Sequence, residues 1–280
     1  MEPLQLYKNS CLQCSKLFTN AYSTSFSLGI SLLDKSLHNA IYAIYGFVRL
    51  ADEIVDSFHS FDKKALLYQI RQQTFEAIAQ KKSTNPIIES FQEIVHTYNI
   101  EPAYIEAFLH SMEMDLNEKT HTEHSYQTYI YGSAEVIGLM CLRVFTATQN
   151  TLFDELKEAA CSLGAAFQKV NFLRDFRSDY LERGRIYFPN LSFDNFDATA
   201  KTNIELSIEE DFVAARKGIA QLPKSARLGV YCAYYYYRAL FEKMKRTSYQ
   251  ELKSKRIRIS NFQKYLILLR AYGEYTLHLV

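Results

Sequence analysis

The chain has 280 residues, with 32 Lys and Arg against 31 Asp and Glu, and only 9 Gly and 5 Pro. A net charge of +1 gives no overall field that would favour nucleic acid or anionic lipid, and no run of about 18 uncharged apolar residues is present to span a membrane. Scarce Gly and Pro, with an apolar period close to 3.6 almost throughout, predict an all-α protein without an internal linker, one domain over 1–280.

The first ten residues, MEPLQLYKNS, lack the basic-then-apolar pattern of an export signal. Together with five Cys, an odd number, this predicts reduced thiols in a cytoplasmic protein. Cys11 and Cys14 form a lone C-x-x-C with no second pair, too little for zinc or redox chemistry. Residues 21–31, AYSTSFSLGIS, fit either a helix start capped by hydroxyls or a helix N-terminus that holds an anion.

Residues 39–58 form a strong helical pattern. Tyr45, Arg49, Asp52 and Asp56 share an arc of about 60°, and apolar residues fill the rest apart from Glu53. Such a helix belongs inside a protein, and one Arg49 cannot neutralise both aspartates and satisfy their oxygens, so either an ion-pair network or a metal is expected. Further along, His121 and His124 in HTEH sit in a polar segment and are expected to be exposed. The run 129–144 contains Gly132, Ser133, Ala134 and Gly138, which suit close approach of a ligand or of a neighbouring helix.

A second helix is predicted through 167–182, where Gln168, Asn171, Asp175 and Asp179 fall within roughly 80° of arc. Two carboxylates ~6 Å apart at an effective dielectric near 20 repel by roughly 3 kcal/mol, so a buried pair needs a cation. Hard carboxylate oxygens favour Mg²⁺ or Mn²⁺. Residues 183–201 read as the longest non-helical stretch, a lid over the site or a surface connection. Tyr234 to Tyr237 cover every helix direction, and KSKRIRISNFQK is a basic cluster near the end.

YSTSFSLGI, YAIYGFVRLADEIVD, YIYGSAEVIG and FQKVNFLRDFRSDYLERGRIYFP, in this order, resemble the squalene/phytoene synthase family, and most closely its bacterial phytoene synthases. The resemblance runs from about Tyr22 to the last helix and implies the helical isoprenoid (terpenoid) synthase fold around a central apolar cavity. It makes Asp52, Asp56, Asp175 and Asp179 ligands of Mg²⁺ or Mn²⁺, and Tyr45 and Tyr129 tyrosines of the reaction chamber. It assigns Ser25, Arg49, Gln168, Asn171, Arg174, Arg256 and Lys264, with Tyr237, to the substrate diphosphates and their surroundings. Asp115 also matches a recurrent family position, without a catalytic role. Tyr22 stands where several members carry histidine. The implied reaction condenses two geranylgeranyl diphosphates head to head, through a cyclopropyl diphosphate, to phytoene. Squalene or dehydrosqualene formation from farnesyl diphosphate is the alternative, and a non-catalytic assembly factor a more distant one. The implied partner is a prenyl diphosphate, with no nucleic acid and no protein. The apolar substrate and product are compatible with peripheral contact at the inner face of a membrane.

Overall fold

A computed structural model describes residues 2–147 and 149–276, except the side chains of Ser25, Asn261 and Thr276. The α-helices in order are α1 (Pro3–Tyr22), α2 (Thr24–Ser31), α3 (Lys35–Ser57), α4 (Lys63–Gln80), α5 (Pro86–Tyr98), α6 (Pro102–Asn117) and α7 (Glu123–Ile130). They continue with α8 (Val136–Phe145), α9 (Asn150–Ser178), α10 (Ala198–Ile219), α11 (Lys224–Lys245), α12 (Tyr249–Ser254) and α13 (Asn261–Thr276). Among the described residues there is no β-strand, only an isolated parallel bridge between Thr120 and Ile186. No described helix is long and apolar enough to cross a membrane.

Local chemistry sets the ends of the elements that carry the site. Asp34 caps α3 by accepting the Ser36 N–H at 2.9 Å. Ser23 breaks α1 from α2 and accepts the Phe26 N–H at 3.2 Å, so the hydroxyl-rich stretch here supplies a helix cap. Helix α9 has 29 residues, about 44 Å at 1.5 Å per residue. Its last turn widens into a π-helical turn, Asp179–Arg183, and stops at Gly184 with φ of 67°, a conformation glycine adopts without the Cβ penalty.

A second π-helical turn, Tyr131–Glu135, joins α7 to α8. There a Cβ on Gly132 would lie 2.3 Å from the Ala107 carbonyl oxygen, and one on Gly138 would lie 2.7 Å from that of Ala160. Close helix packing therefore accounts for both of these glycines.

Two apolar clusters hold the helices. One surrounds α3, where Phe47 stacks on Phe91 with centroids 4.0 Å apart and meets Phe108 edge-on. The other gathers Val170, Leu173 and Phe176 of α9 with Phe212, Tyr231 and Phe241. Each such side chain contributes roughly 1.5–3 kcal/mol when fully buried. Phe153 and Leu156 place the start of α9 in the first cluster, so this one helix runs from one core to the other.

Candidate active site

On α3, Tyr45, Arg49, Asp52 and Asp56 form a half-buried stripe beside buried Ile44, Phe47, Ala51, Ile54 and Val55. The Arg49 guanidinium pairs with Asp52 and Glu53 and lies over the Tyr22 ring at 4.4 Å. Tyr22 thus holds this cation through its ring face. The Arg49 Nε is buried without a partner. Tyr45 stacks on Phe26 at 4.5 Å, and burial raises its phenol pKa.

On α9, Gln168 Nε2 donates to Ser133 Oγ at 3.3 Å. Asn171 sits at the Tyr237 hydroxyl, and its Oδ1 is buried with no donor. The Tyr237 ring stacks on Phe167 at 3.9 Å. Arg174 donates to its neighbour Asp175 at 3.0 and 2.5 Å. Arg256, between α12 and α13, reaches the same carboxylate at 2.7 Å.

The two stripes converge through the residues just after α9. Arg183 donates from Nη1 to Asp179 at 2.9 Å and from Nη2 to Asp56 at 3.2 Å, which ties the second aspartate of each helix to one guanidinium. Arg185 Nη1 lies 3.3 Å from Asp56 and 3.6 Å from Asp115. Asp115, on α6, accepts the hydroxyls of Tyr129 at 2.8 Å and Tyr187 at 3.0 Å.

The electrostatics match this crowding. Burial and then the neighbouring Asp56 push Asp52 up to about 6, while burial and Asp175 push Asp179 up to about 7. Burial raises Asp115 to about 6 against the pull of Arg185 and the two phenols. Burial and the Asp115 charge hold the Tyr129 hydroxyl well above its ordinary range, so it stays protonated. Burial disfavours the Arg183 charge, but Asp56 and Asp179 outweigh it and raise its pKa.

The structure brings the two aspartate pairs and the arginines together and places several other residues as follows. Arg256 stands against Asp175. Lys264, expected at the diphosphates, has its Nζ 5.6 Å from the Tyr236 ring centroid and lines a small pocket with Leu28 and Gly29. The side chain of Ser25 lies outside the described residues. His124 is exposed as expected, but His121 is buried, stacked on Tyr187 and within 3.4 Å of Glu118, because the bridge at Thr120 draws this segment under the aromatic cluster. Burial lowers the His121 pKa. Glu53, Arg183, Arg185 and Tyr187 join the site without having been singled out, and Asp115 proves to be its polar hub.

The residues present suit a divalent cation bound together with an anion. The donors are hard oxygens, the carboxylates of Asp52 and Asp179 are pushed toward neutrality by burial and then by a neighbouring aspartate, Asn171 Oδ1 lacks a donor, and Arg49 Nε lacks an acceptor. Among the described residues no three acidic, His or Cys side chains gather tightly enough to hold a metal by themselves. Mg²⁺ commonly takes one or two carboxylates and completes its shell with water and phosphate oxygens.

A family model described as squalene/phytoene synthase matches residues 19–263. The 15-cis-phytoene synthase of Pantoea ananas is 26% identical over 277 residues, covering 90% of this chain and 88% of that protein. The 4,4'-diapophytoene synthase of Staphylococcus haemolyticus is 28% identical over 193 residues, covering 66% of this chain and 64% of that protein. A dehydrosqualene synthase crystallised with a ligand superposes with a TM-score of 0.83 at 22% identity, covering 98% of this chain and 99% of that one.

Proposed function

The chain belongs to the squalene/phytoene synthase family, and from that premise we propose that it joins two geranylgeranyl diphosphates head to head to give phytoene. The observation that carries the reading is the meeting of two helical aspartate pairs, Asp52 and Asp56 with Asp175 and Asp179, amid a ring of arginines. The resemblance to the Pantoea phytoene synthase over nearly the whole chain supports the longer substrate.

In this reading Arg49, Arg174 and Arg256 orient the diphosphates and stabilise charge as each C–O bond breaks. When bound, Mg²⁺ or Mn²⁺ supplies Lewis acidity toward the diphosphate oxygens, held by Asp52, Asp56, Asp175 and Asp179 with Asn171 Oδ1 as a further hard donor. Ionisation of the first substrate releases pyrophosphate, and C–C bond formation with the second releases a proton and leaves a cyclopropyl diphosphate. Its ionisation releases the second pyrophosphate, and rearrangement with loss of another proton gives the triene without a reductant. Tyr45 and Tyr129, with Phe26 and Phe172 beside them, offer aromatic faces to the cation and exclude water. Tyr129 is held by Asp115, which fixes its ring.

The second reading is dehydrosqualene or squalene synthesis from farnesyl diphosphate, favoured by the likeness to a dehydrosqualene synthase structure and to a diapophytoene synthase. A non-catalytic role is disfavoured by the presence of all four aspartates. Product analysis with Mg²⁺ and each diphosphate, with and without NADPH, tests the proposal. Phytoene from the longer substrate without NADPH is expected. Product only from the shorter one overturns the substrate assignment, and intact substrate with folded protein overturns the reaction.

A further inference from the structure

Each of the four aspartates given to the divalent cation also holds an arginine. Arg183 stands apart from the others. Among the described residues it is the only cation that donates to an aspartate of both α3 and the end of α9. Its Nη1 reaches Asp179 Oδ1 at 2.9 Å and its Nη2 reaches Asp56 Oδ2 at 3.2 Å. One guanidinium therefore competes with a divalent cation for an oxygen of each aspartate pair.

The geometry allows Arg183 to leave. Its side chain is 32% exposed, against 11% for Arg185. Arg185 holds the other oxygen of Asp56, Oδ1, at 3.3 Å, and is itself fixed by the Tyr187 hydroxyl at 3.3 Å and by Asp115 at 3.6 Å. The main chain around Arg183 is pinned, because the Gly184 and Arg185 N–H groups donate to the Tyr180 and Asp179 carbonyls at 3.0 and 2.9 Å. Release is thus a side-chain rotation that frees Asp56 Oδ2 and Asp179 Oδ1, while Arg185 keeps Asp56 in place.

Charge decides when this happens. Asp52, Glu53, Asp56, Asp115, Asp175 and Asp179 face five arginines, and Lys63 lies close enough to feel the charges of Asp56, Arg183 and Arg185. The site is therefore close to neutral. A divalent cation entering alone would add two positive charges beside a displaced guanidinium, which repels it. A diphosphate entering with the cation restores the balance. It also gives the released Arg183 a new acceptor, since a guanidinium forks onto phosphate oxygens as it does onto carboxylates.

We propose that Arg183 is a further diphosphate-binding residue, one that holds Asp56 and Asp179 against a lone cation and passes to the diphosphate when both bind together. The inference rests on the metal assignment of the proposed function and holds for either prenyl substrate. Two titrations of the full chain at pH 8 test it: Mn²⁺ alone, followed by electron paramagnetic resonance, and inorganic pyrophosphate in excess Mn²⁺, followed by calorimetry.

Arg183→Gln should bind Mn²⁺ alone about tenfold more tightly than the wild type, and pyrophosphate about tenfold more weakly. The opposite signs matter, because a merely structural loss would weaken both. Arg183→Lys keeps the charge but cannot fork onto both carboxylates, so it should gain about threefold for Mn²⁺ and keep most of the pyrophosphate affinity. That variant decides the question even where Arg183→Gln does not fold. Mn²⁺ binding that neither variant tightens, or pyrophosphate binding that Arg183→Gln leaves unchanged, overturns the role of Arg183 while the metal assignment stands. No Mn²⁺ binding to wild type or variants, with or without pyrophosphate, overturns the metal assignment and this inference with it.

Discussion

Asp179→Asn should make the metal-free protein more stable, not less. The Asp179 side chain is 11% exposed, and its pKa in the folded state is about 7, raised by burial and Asp175 from 3.8. Above pH 7 the folded chain must therefore hold a charge that it disfavours, at a cost of about 4 kcal/mol relative to the unfolded chain. The amide removes that charge but faces Arg183 with N–H groups, and a lost hydrogen bond to a charged partner takes back about 1.5–3 kcal/mol. A net gain of about 1–3 kcal/mol, or roughly 2–6 °C in Tm for a chain of this size, remains. The sign follows from proton uptake: as pH falls from 7 toward 4, folded Asp179 takes up its proton before the unfolded chain does. The wild-type penalty is thereby relieved while the weakened Arg183 contact remains, so the advantage of the variant should shrink with falling pH and turn into a deficit of about 1–3 kcal/mol near pH 4. Thermal unfolding in EDTA at pH 7.5, 6 and 4.5 measures this. A variant that melts several degrees lower at pH 7.5 would refute the reasoning, because an ordinary buried ion pair loses about 3–5 kcal/mol when one partner is removed.

Asp52→Asn and Asp175→Asn should each abolish product formation while far-UV circular dichroism stays native; near-normal turnover in either removes its carboxylate from the site. Gly132→Ala puts a Cβ 2.3 Å from the Ala107 oxygen and 2.8 Å from the Ser111 Cβ, and should cost about 1–3 kcal/mol of overpacking strain in a urea titration. Tyr129→Phe leaves Asp115 with Tyr187 and Arg185, so its stability loss should be only about 1–2 kcal/mol. Steady-state kinetics of that variant should show a fall in kcat well beyond what the unfolded fraction explains.

The helices that carry the aspartates were legible because each is long and its apolar period leaves one narrow polar stripe: on α3 the stripe holds Tyr45, Arg49, Asp52 and Asp56. Arg256 could be placed only by family resemblance, since it lies 81 residues from its partner Asp175. The role of Asp115 was hidden for the same reason, because its partners come from α7 and from the segment after α9. A signal existed nonetheless: Phe108, Ser111, Met112 and Asp115 recur at three- and four-residue spacing on the buried face of α6, which demands a partner for the carboxylate. Arg183 and Arg185 directly follow the second motif, but nothing local shows that they bend back to α3. That return depends on the π-helical turn at Asp179–Arg183 and on Gly184, and a single widened turn leaves no mark on an apolar period. His121 misled because its sequence neighbours are polar, while its burial comes from the distant Tyr187.

The central claim, that the stripes of α3 and α9 form one site for a divalent cation and a diphosphate, is tested most directly by crystals soaked in Mn²⁺ with a non-hydrolysable geranylgeranyl diphosphate. Anomalous scattering should place manganese against oxygens of both aspartate pairs, with Arg183 drawn away from at least one of Asp56 and Asp179. Crystals with the ligand bound but no manganese there, and Arg183 still bridging the two carboxylates as it does at 2.9 and 3.2 Å, would contradict it.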